Sequence, residues 1–338
     1  LKVKLEDVAS KAGVSIATVS RVLNNHPVSE KARISVEEAI TLLDYRPNLM
    51  ARGLKNGQSF RIGVIIPNME NPYFSSIMNS MELRFREEGY LCNFASSAFD
   101  DDEQDIVGRF LDSGVDGLIN VDVGLKGDNN SLFAKLNQQL PVVLINGNPE
   151  RTDTNLIIVD QDKGMESVMD HFYKLNHRSI GIVRSSIPSL SFNNKENIYR
   201  KKMSEFGIRI QERHIFRIPE ADHFETVDIT YELFLKDLIK PDRPTAIFCS
   251  NELMALGVLK AASELNINVP EDLSIIAQDN TFLSRISIPA LTTVDMNASR
   301  LGVESAEMML QLLNSKNPSP RRLIFFPELI IRDSCSEL

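Results

Sequence analysis

The chain of 338 residues is 43% hydrophobic and 25% charged, with 16 Gly and 15 Pro, the proportions of ordinary globular sequence. These values exclude a disordered, collagenous or disulfide-stapled chain, and the length predicts about two domains with a small third. The net charge of −9 argues against nucleic acid only as an average: residues 1–60 hold nine Lys/Arg and six Asp/Glu, giving +3, while 28 Lys/Arg and 40 Asp/Glu in the remainder give −12.

In chain order, Leu1–Asp7 enters a polar amphipathic pattern without an apolar signal core, and no apolar run approaches the roughly 20 residues that cross a bilayer. A cytoplasmic protein with no membrane partner is expected. Leu5, Val8, Ala9 and Ala12 then recur at spacings of three and four, and after Gly13-Val14-Ser15 a second apolar face is formed by Val19, Val22 and Leu23. This spacing predicts two short helices across a tight turn, Gly13 ending the first in the left-handed conformation and Ser15 capping the second. Past Pro27, Ser29 is placed to cap a third helix bearing Ala32, Ile34, Val36, Ala39, Ile40, Leu42 and Leu43. Pro47 ends this unit because it lacks a donor and biases Arg46 to an extended backbone. The expected boundaries are 1–47 for the three-helix unit and 48–60 for a linker, in which Asn48 and Gly57 bound about two turns of marginal helix weakened by Gly53.

From Arg61 the texture changes to apolar strands alternating with amphipathic helices. Strands are expected at Ile62–Pro67, Tyr90–Ala95, Gly117–Val121, Val142–Asn146, Leu156–Val159, Ile180–Val183, Ala246–Cys249, Leu273–Ala277 and Leu291–Val294. Helices are expected at Phe74–Glu88, Lys163–Leu175, Lys195–Phe206, Thr226–Ile239, Glu252–Leu265 and Ala298–Leu313. Nearly every strand is apolar on both faces, the pattern of parallel sheets covered by helices. Residues 61–338 exceed one sheet and read as two α/β lobes with a cleft at the strand C-termini. The first lobe is expected over about 61–160 plus 292–320, the second over about 161–291 plus 321–338.

The chain lacks the glycine-rich phosphate and dinucleotide signatures, the zinc-protease helix, the nucleophile elbow and any C-x-x-C pair. Five histidines (His26, His171, His177, His214, His223) show no ligand spacing on a helix face. Asp100-Asp101-Asp102-Glu103 reads as an acidic first turn favoured by the helix dipole. Cys92, Cys249 and Cys335, odd in number and widely spaced, read as reduced and buried thiols. No enzyme, cofactor or metal is expected.

The helix–turn–helix is the more specific signal. It turns Ile16, Ala17, Thr18, Ser20, Arg21 and Asn24 away from the apolar face, a small and hydroxylic surface. Short side chains let a helix backbone enter a major groove, hydroxyls and amides bind phosphates, and Arg21 is long enough to reach a guanine edge. The other reading is the solvated face of an ordinary helical hairpin.

The run Val8-Ala9-x3-Gly13-Val14-Ser15-x2-Thr18-Val19-Ser20-Arg21-Val22-Leu23-Asn24, followed by Tyr45-Arg46-Pro47-Asn48 and Ala51-Arg52-x-Leu54, resembles the LacI/GalR family of bacterial transcriptional regulators. The resemblance continues through Ile62–Pro67, Asn71-Pro72-Tyr73-Phe74, Asp116–Ile119, Pro141–Val143, Asn251–Gly257 and Val269–Ile276, so it covers essentially the whole chain. It implies a small all-α helix-turn-helix headpiece plus hinge helix, followed by an α/β two-lobed periplasmic-binding-protein-like domain with parallel sheets. It also implies a homodimeric repressor that binds palindromic operator DNA under the control of a small effector, a sugar first of all, acting through the angle between the lobes.

By the same resemblance, Ile16, Ala17 and Arg21 read bases and Ser15, Thr18, Ser20, Asn24 and Tyr45 lie near phosphates. Ala51, Leu54 and Lys55 belong to a hinge helix in which Leu54 wedges the minor groove. From composition alone, Leu54 reads as an ordinary linker residue. The implied effector contacts are Tyr73 and Phe74 as a stacking surface, Lys195, and the polar residues Asn146, Asn251 and Asp279. An Asn or Asp after a strand is equally a turn former. The sequence departs from the family at Lys195, where an arginine is usual, at Ile198 in place of a glycine, at Gln278 before Asp279, and at Lys4 in place of a threonine cap. The other readings are a sugar-binding transport protein, or a regulator answering to a nucleobase, a phosphosugar or a partner protein.

Overall fold

A computed structural model describes residues 3–23, 26–45, 58–97, 103–121, 129–146, 153–186, 190–219, 223–315 and 319–338. The chain divides into two compact units, Leu1–Phe60 and Arg61–Leu338. The two-turn helix expected over residues 48–57 lies outside the described residues.

The first unit consists of α1 (Leu5–Ala12), α2 (Ile16–Leu23) and α3 (Glu30–Leu42). Gly13 ends α1 at φ +65°, a conformation open to glycine because it has no Cβ to clash, and the Val14 N–H returns to the Ala9 carbonyl at 3.1 Å. Ser15 Oγ accepts the Thr18 N–H at 3.1 Å, which caps α2, and Ser29 Oγ accepts the Ala32 N–H at 3.4 Å at the start of α3. At the α1 cap, Lys4 supplies no side-chain oxygen, but the Asp7 carboxylate accepts the Lys4 N–H at 2.7 Å and so provides half of a capping box. The core is Val8, Ala9, Val19, Val22, Val36 and Ala39. Ile34 and Leu42, read from the sequence as part of the apolar face of α3, are 48% and 67% exposed. At about 100° per residue, Val36, Ala39, Ile40 and Leu43 complete the buried stripe, and positions 34 and 42 fall off its edge.

The second unit begins with β1 (Arg61–Ile66), α4 (Pro72–Glu87), β2 (Leu91–Ser96), α5 (Glu103–Asp112), β3 (Gly117–Val121), α6 (Asn129–Leu136), β4 (Val142–Ile145) and β5 (Asn155–Val159). It continues with α7 (Gln161–Lys174), β6 (Ile180–Ser185), α8 (Leu190–Glu205), β7 (Ile215–Ile218), α9 (Glu225–Asp237), β8 (Ala246–Cys249), α10 (Glu252–Glu264) and β9 (Ser274–Asp279). The last elements are α11 (Phe282–Ile286), β10 (Thr292–Asp295), α12 (Ala298–Asn314), β11 (Arg322–Phe325) and β12 (Glu328–Ile330). All nine expected strands are present. The short β7, β11 and β12 and the helices α6 and α11 have too little periodic sequence to be read. Only the acidic first turn of α5 is read from the sequence, although Ile106, Val107 and Phe110 form a buried stripe, and α8 starts five residues before the expected Lys195.

Two six-stranded sheets result, in the orders β11-β5-β4-β3-β1-β2 and β12-β10-β9-β8-β6-β7. Every ladder is parallel except β10 with β12. Strands buried on both faces, such as β3 and β4, explain their continuous apolar runs. In each sheet the order reverses beside its first strand, between β1 and β3 and between β6 and β8. A crevice outside the strand C-termini is the standard ligand position in such sheets.

The lobe boundaries differ from those expected. β10 pairs with β9 in the second sheet and β11 pairs with β5 in the first, so residues 292–295 belong to the second lobe and 322–325 to the first. The chain therefore crosses after β5, after β10 and between β11 and β12. Between the last two crossings, α12 packs on α4 of the first lobe. Gly302 permits this approach: a Cβ there would meet Ser80 Oγ and the Ile77 carbonyl.

Candidate nucleic-acid interface and ligand cleft

In the first unit, burial of Val19 and Val22 fixes which side of α2 faces outward. Ser15, Ile16, Ala17 and Arg21 are exposed, Ile16 to 47%, and Thr18 and Ser20 are half-buried. The Ser15 and Thr18 hydroxyls lie 2.9 Å apart at the N-terminal turn, where unpaired backbone N–H groups and the helix dipole favour an anion. The outer side of α2 thus offers phosphate-type donors and a large apolar contact at its first turn and a guanidinium at its last. Tyr45 is half-buried, with its ring against the headpiece core and its N–H bonded to the Ile40 carbonyl at 3.0 Å; burial raises its phenol above the ordinary range. Asn24, Ala51, Leu54 and Lys55 lie outside the described residues.

In the second unit, Asn146 and Asn251 follow the C-terminal ends of β4 and β8, Asp279 is the last residue of β9, and Tyr73, Phe74 and Lys195 lie on α4 and α8, the helices that follow β1 and β6. Asn71 caps α4 by accepting the Tyr73 N–H at 2.9 Å and so sets the first turn, where the buried Tyr73 and Phe74 rings meet edge to face at 5.2 Å. Asn146 stands at φ +52° and its Oδ1 accepts the Val159 N–H at 3.0 Å, tying β4 to β5. Asn251 Oδ1 accepts the Met254 N–H at 2.9 Å as the cap of α10. The side-chain oxygens of both asparagines are thus committed to backbone, the turn-forming use weighed in the sequence. Asp279 is buried at φ +118° and is followed by Asn280 at φ +58°, a strained strand end of the kind that gathers at binding sites.

Lys195 is 3% exposed, and beside it lies a cluster that the sequence did not reveal. Glu196 accepts from Arg184 Nε at 2.7 Å, from Arg200 Nη2 at 2.9 Å and from Arg217 Nη2 at 2.9 Å. Arg184 and Arg217 are register partners on β6 and β7, so the carboxylate locks α8 across two strands. Burial raises the Glu196 carboxyl, but the three guanidinium partners outweigh it and hold it below the usual carboxylate range. A second buried carboxylate, Glu252, accepts from the Thr281 N–H at 2.9 Å and from the Thr281 and Ser284 hydroxyls, and burial pushes it above that range. It fastens the Asp279 strand end to the start of α10. Asn120, 1% exposed near the end of β3, keeps both amide atoms without a hydrogen-bond partner, the condition that a ligand or water relieves.

A groove of about 700 Å³ is lined from both lobes, by Met69, Glu70 and Pro72 of the first and Phe224, Leu253 and Phe282 of the second. Phe224 and Phe282 are 59% and 51% exposed. The three cysteines are free; Cys249 is buried as expected, Cys92 and Cys335 are half-buried, and burial raises Cys92 to about 12 and Cys335 to about 11, which disfavours their thiolates. No helix among the described residues is long and apolar enough to cross a membrane.

Two parallel α/β lobes with ligand-type residues at their strand ends, preceded by a helix-turn-helix, define a DNA-binding regulator built on a ligand-binding domain. Residues 4–48 match the bacterial regulatory proteins of the lacI family and residues 169–335 match a periplasmic binding protein-like domain. The chain is 30% identical over 336 residues to the HTH-type transcriptional repressor PurR of Mannheimia succiniciproducens, with 99% of each chain covered. It is 31% identical to the PurR repressor of Pasteurella multocida over 98% of each. Among solved structures, the lac repressor dimer bound to operator and the anti-inducer ONPF superposes with a TM-score of 0.85 at 27% identity, covering 99% of this chain and 100% of that one. The chain belongs to the lacI family of bacterial regulatory proteins: it is a DNA-binding transcriptional regulator and not an enzyme.

Proposed function

We propose that the chain is a repressor of a carbohydrate-utilisation operon that binds a palindromic operator as a homodimer and is controlled by a small ligand between its lobes. The observation that carries the operator reading is the exposed row Ser15, Ile16, Ala17 and Arg21 on a helix whose buried Val19 and Val22 hold it rigid. One such helix covers too few base pairs for specificity, and paired half-sites need paired headpieces. The apolar groove with Phe224 and Phe282 on its rim supports pairing, with a second copy as its occupant. Ligand binding changes the lobe angle, and the change reaches the DNA through the spacing of the two hinge segments, where Ala51, Leu54 and Lys55 act on the minor groove.

The aromatic pair Tyr73 and Phe74 with a carboxylate at Asp279 and a cation at Lys195 suits a polyhydroxylated ring, whose C–H faces pack on aromatics and whose hydroxyls need both donors and acceptors. A planar nucleobase is the second reading. It is favoured by the commitment of the Asn146 and Asn251 oxygens to backbone, which leaves the aromatic pair as the larger feature.

Selection of bound duplexes from a random pool by the full chain should return a two-half-site palindrome. Arg21→Ala should relax preference at one base pair per half-site, by about 1–3 kcal/mol for a bidentate contact. Repeating the selection with sugars, phosphosugars and nucleobases identifies the effector by the class that shifts retention. Recovery of no palindrome under any of them would sink the reading.

A further inference from the structure

No metal site was legible in the sequence, yet the fold brings three ligand-type side chains from opposite lobes together. Glu70 lies in the loop between β1 and α4 of the first lobe; His223 and Glu225 stand at the start of α9 in the second. One ligand atom from each lies within 4.8 Å of the others.

The hydrogen bonds determine how the imidazole is presented. The Glu70 N–H donates to Asn68 Oδ1 at 2.7 Å, which fixes the orientation of that buried amide. Its Nδ2 therefore faces His223 Nδ1 at 2.9 Å, and because an amide nitrogen only donates, Nδ1 is the acceptor and carries the lone pair. The same Nδ1 is 3.8 Å from Glu70 Oε2. Two acceptors thus face one another, with the Glu225 carboxylate alongside. Among the described residues no lysine or arginine pairs with Glu70 or Glu225. Two carboxylates and a neutral imidazole nitrogen offer one another only acceptors, and a cation between them is a partner that all three can share.

We propose that Glu70, His223 and Glu225 bind a divalent transition-metal ion of the Zn²⁺ type, with water as the fourth ligand, and that the ion clamps the two lobes. One nitrogen and two carboxylates with an open position is a donor set that such an ion accepts. Ligand atoms about 2.0–2.2 Å from an ion stand roughly 3.3–3.6 Å apart in a tetrahedron. The site borders the groove proposed for the second copy, which Glu70 and Phe224 line, and its three side chains reach that spacing from the present one by small rotations, the ion replacing the Asn68 amide as the partner of Nδ1. Asn68 is the positioning residue, since it holds the Glu70 backbone and the His223 ring together. An occupied site favours the lobe arrangement in which these residues meet, so metal joins the cleft ligand as a second influence on lobe angle.

The test is titration of the chelator-free full chain with Zn²⁺, and with Co²⁺ as a spectroscopic substitute. One ion per protomer, a raised melting temperature and the intense visible bands of four-coordinate Co²⁺ without thiolate charge-transfer bands are expected. His223→Ala and Glu225→Gln should each weaken binding at least tenfold while melting like the parent in the absence of metal. Equal affinity in the parent and His223→Ala, thiolate bands, or no uptake by the parent would overturn the proposal. If a variant fails to match the parent's metal-free melting, Glu70→Gln, on the opposite lobe, reports the same loss.

Discussion

The two lobes follow one topological plan and are held together by different chemistry. The first places α12 against α4 at a contact so close that Gly302 lies on the Ile77 carbonyl, and Glu103 is its only fully buried charged residue among those described. The second buries Arg184, Lys195, Glu196, Asp237, Glu252 and Asp279, and holds all four histidines of residues 61–338. The first lobe is thus an apolar platform that presents an aromatic pair. The second is a polar, titratable frame that sets what stands opposite. Three of the proposed ligand contacts, Lys195, Asn251 and Asp279, thus share one half of the molecule with the buried histidines.

The largest expected effect tests the polar frame. Glu196→Ala leaves three arginines around an empty position, and removing one partner of a buried ionic cluster typically costs about 3 kcal/mol or more. Partial exposure of Arg200 and Arg217 keeps the estimate near that lower figure. Urea unfolding measures it, and a loss below about 1 kcal/mol would show that α8 does not depend on this carboxylate.

The apolar joint is next. Gly302→Ala forces a methyl group against the Ser80 hydroxyl and the Ile77 carbonyl, so α4 and α12 must separate, at about 1–3 kcal/mol. Hydrogen exchange should locate the loosening in α4 and α12, with the second sheet unchanged. Uniform loosening would remove the distinction between the lobes.

The smallest effect is a pH slope. Burial holds His171, His177 and His214 below their ordinary 6.5. Between their folded values and 6.5 the unfolded chain binds more protons, so stability present above 6.5 is lost as pH falls through that window. The melting temperature should decline on acidification from pH 7.5, with exchange rising first in the second lobe. A decline that begins in the first lobe, which has no histidine, would contradict the comparison.

Several site positions show where reading stopped. Gly13, Ser15 and Ser29 were legible because a cap acts on backbone within three or four residues. Asn146 and Asn251 were legible as strand-end residues, but not the backbone N–H groups to which their oxygens are bonded. Glu196 looked like any helical glutamate, since Arg184 and Arg217 approach it from strands 12 and 21 residues away. Phe224 and Phe282 carried no signal in the sequence, and packing places them on a groove.

By itself the sequence determined the three short helices and their turn and the alternation that makes parallel sheets, because caps, periodicity and turn glycines act within a few residues; the class of regulator was legible through the resemblance of its motifs to a known family. Only the tertiary structure decided that β10 and β11 exchange lobes, that Ile34 and Leu42 face outward, and that Glu70 meets His223. Those outcomes depend on which distant surfaces come to share a boundary. That is a matter of how whole elements pack, and a local pattern carries no record of it.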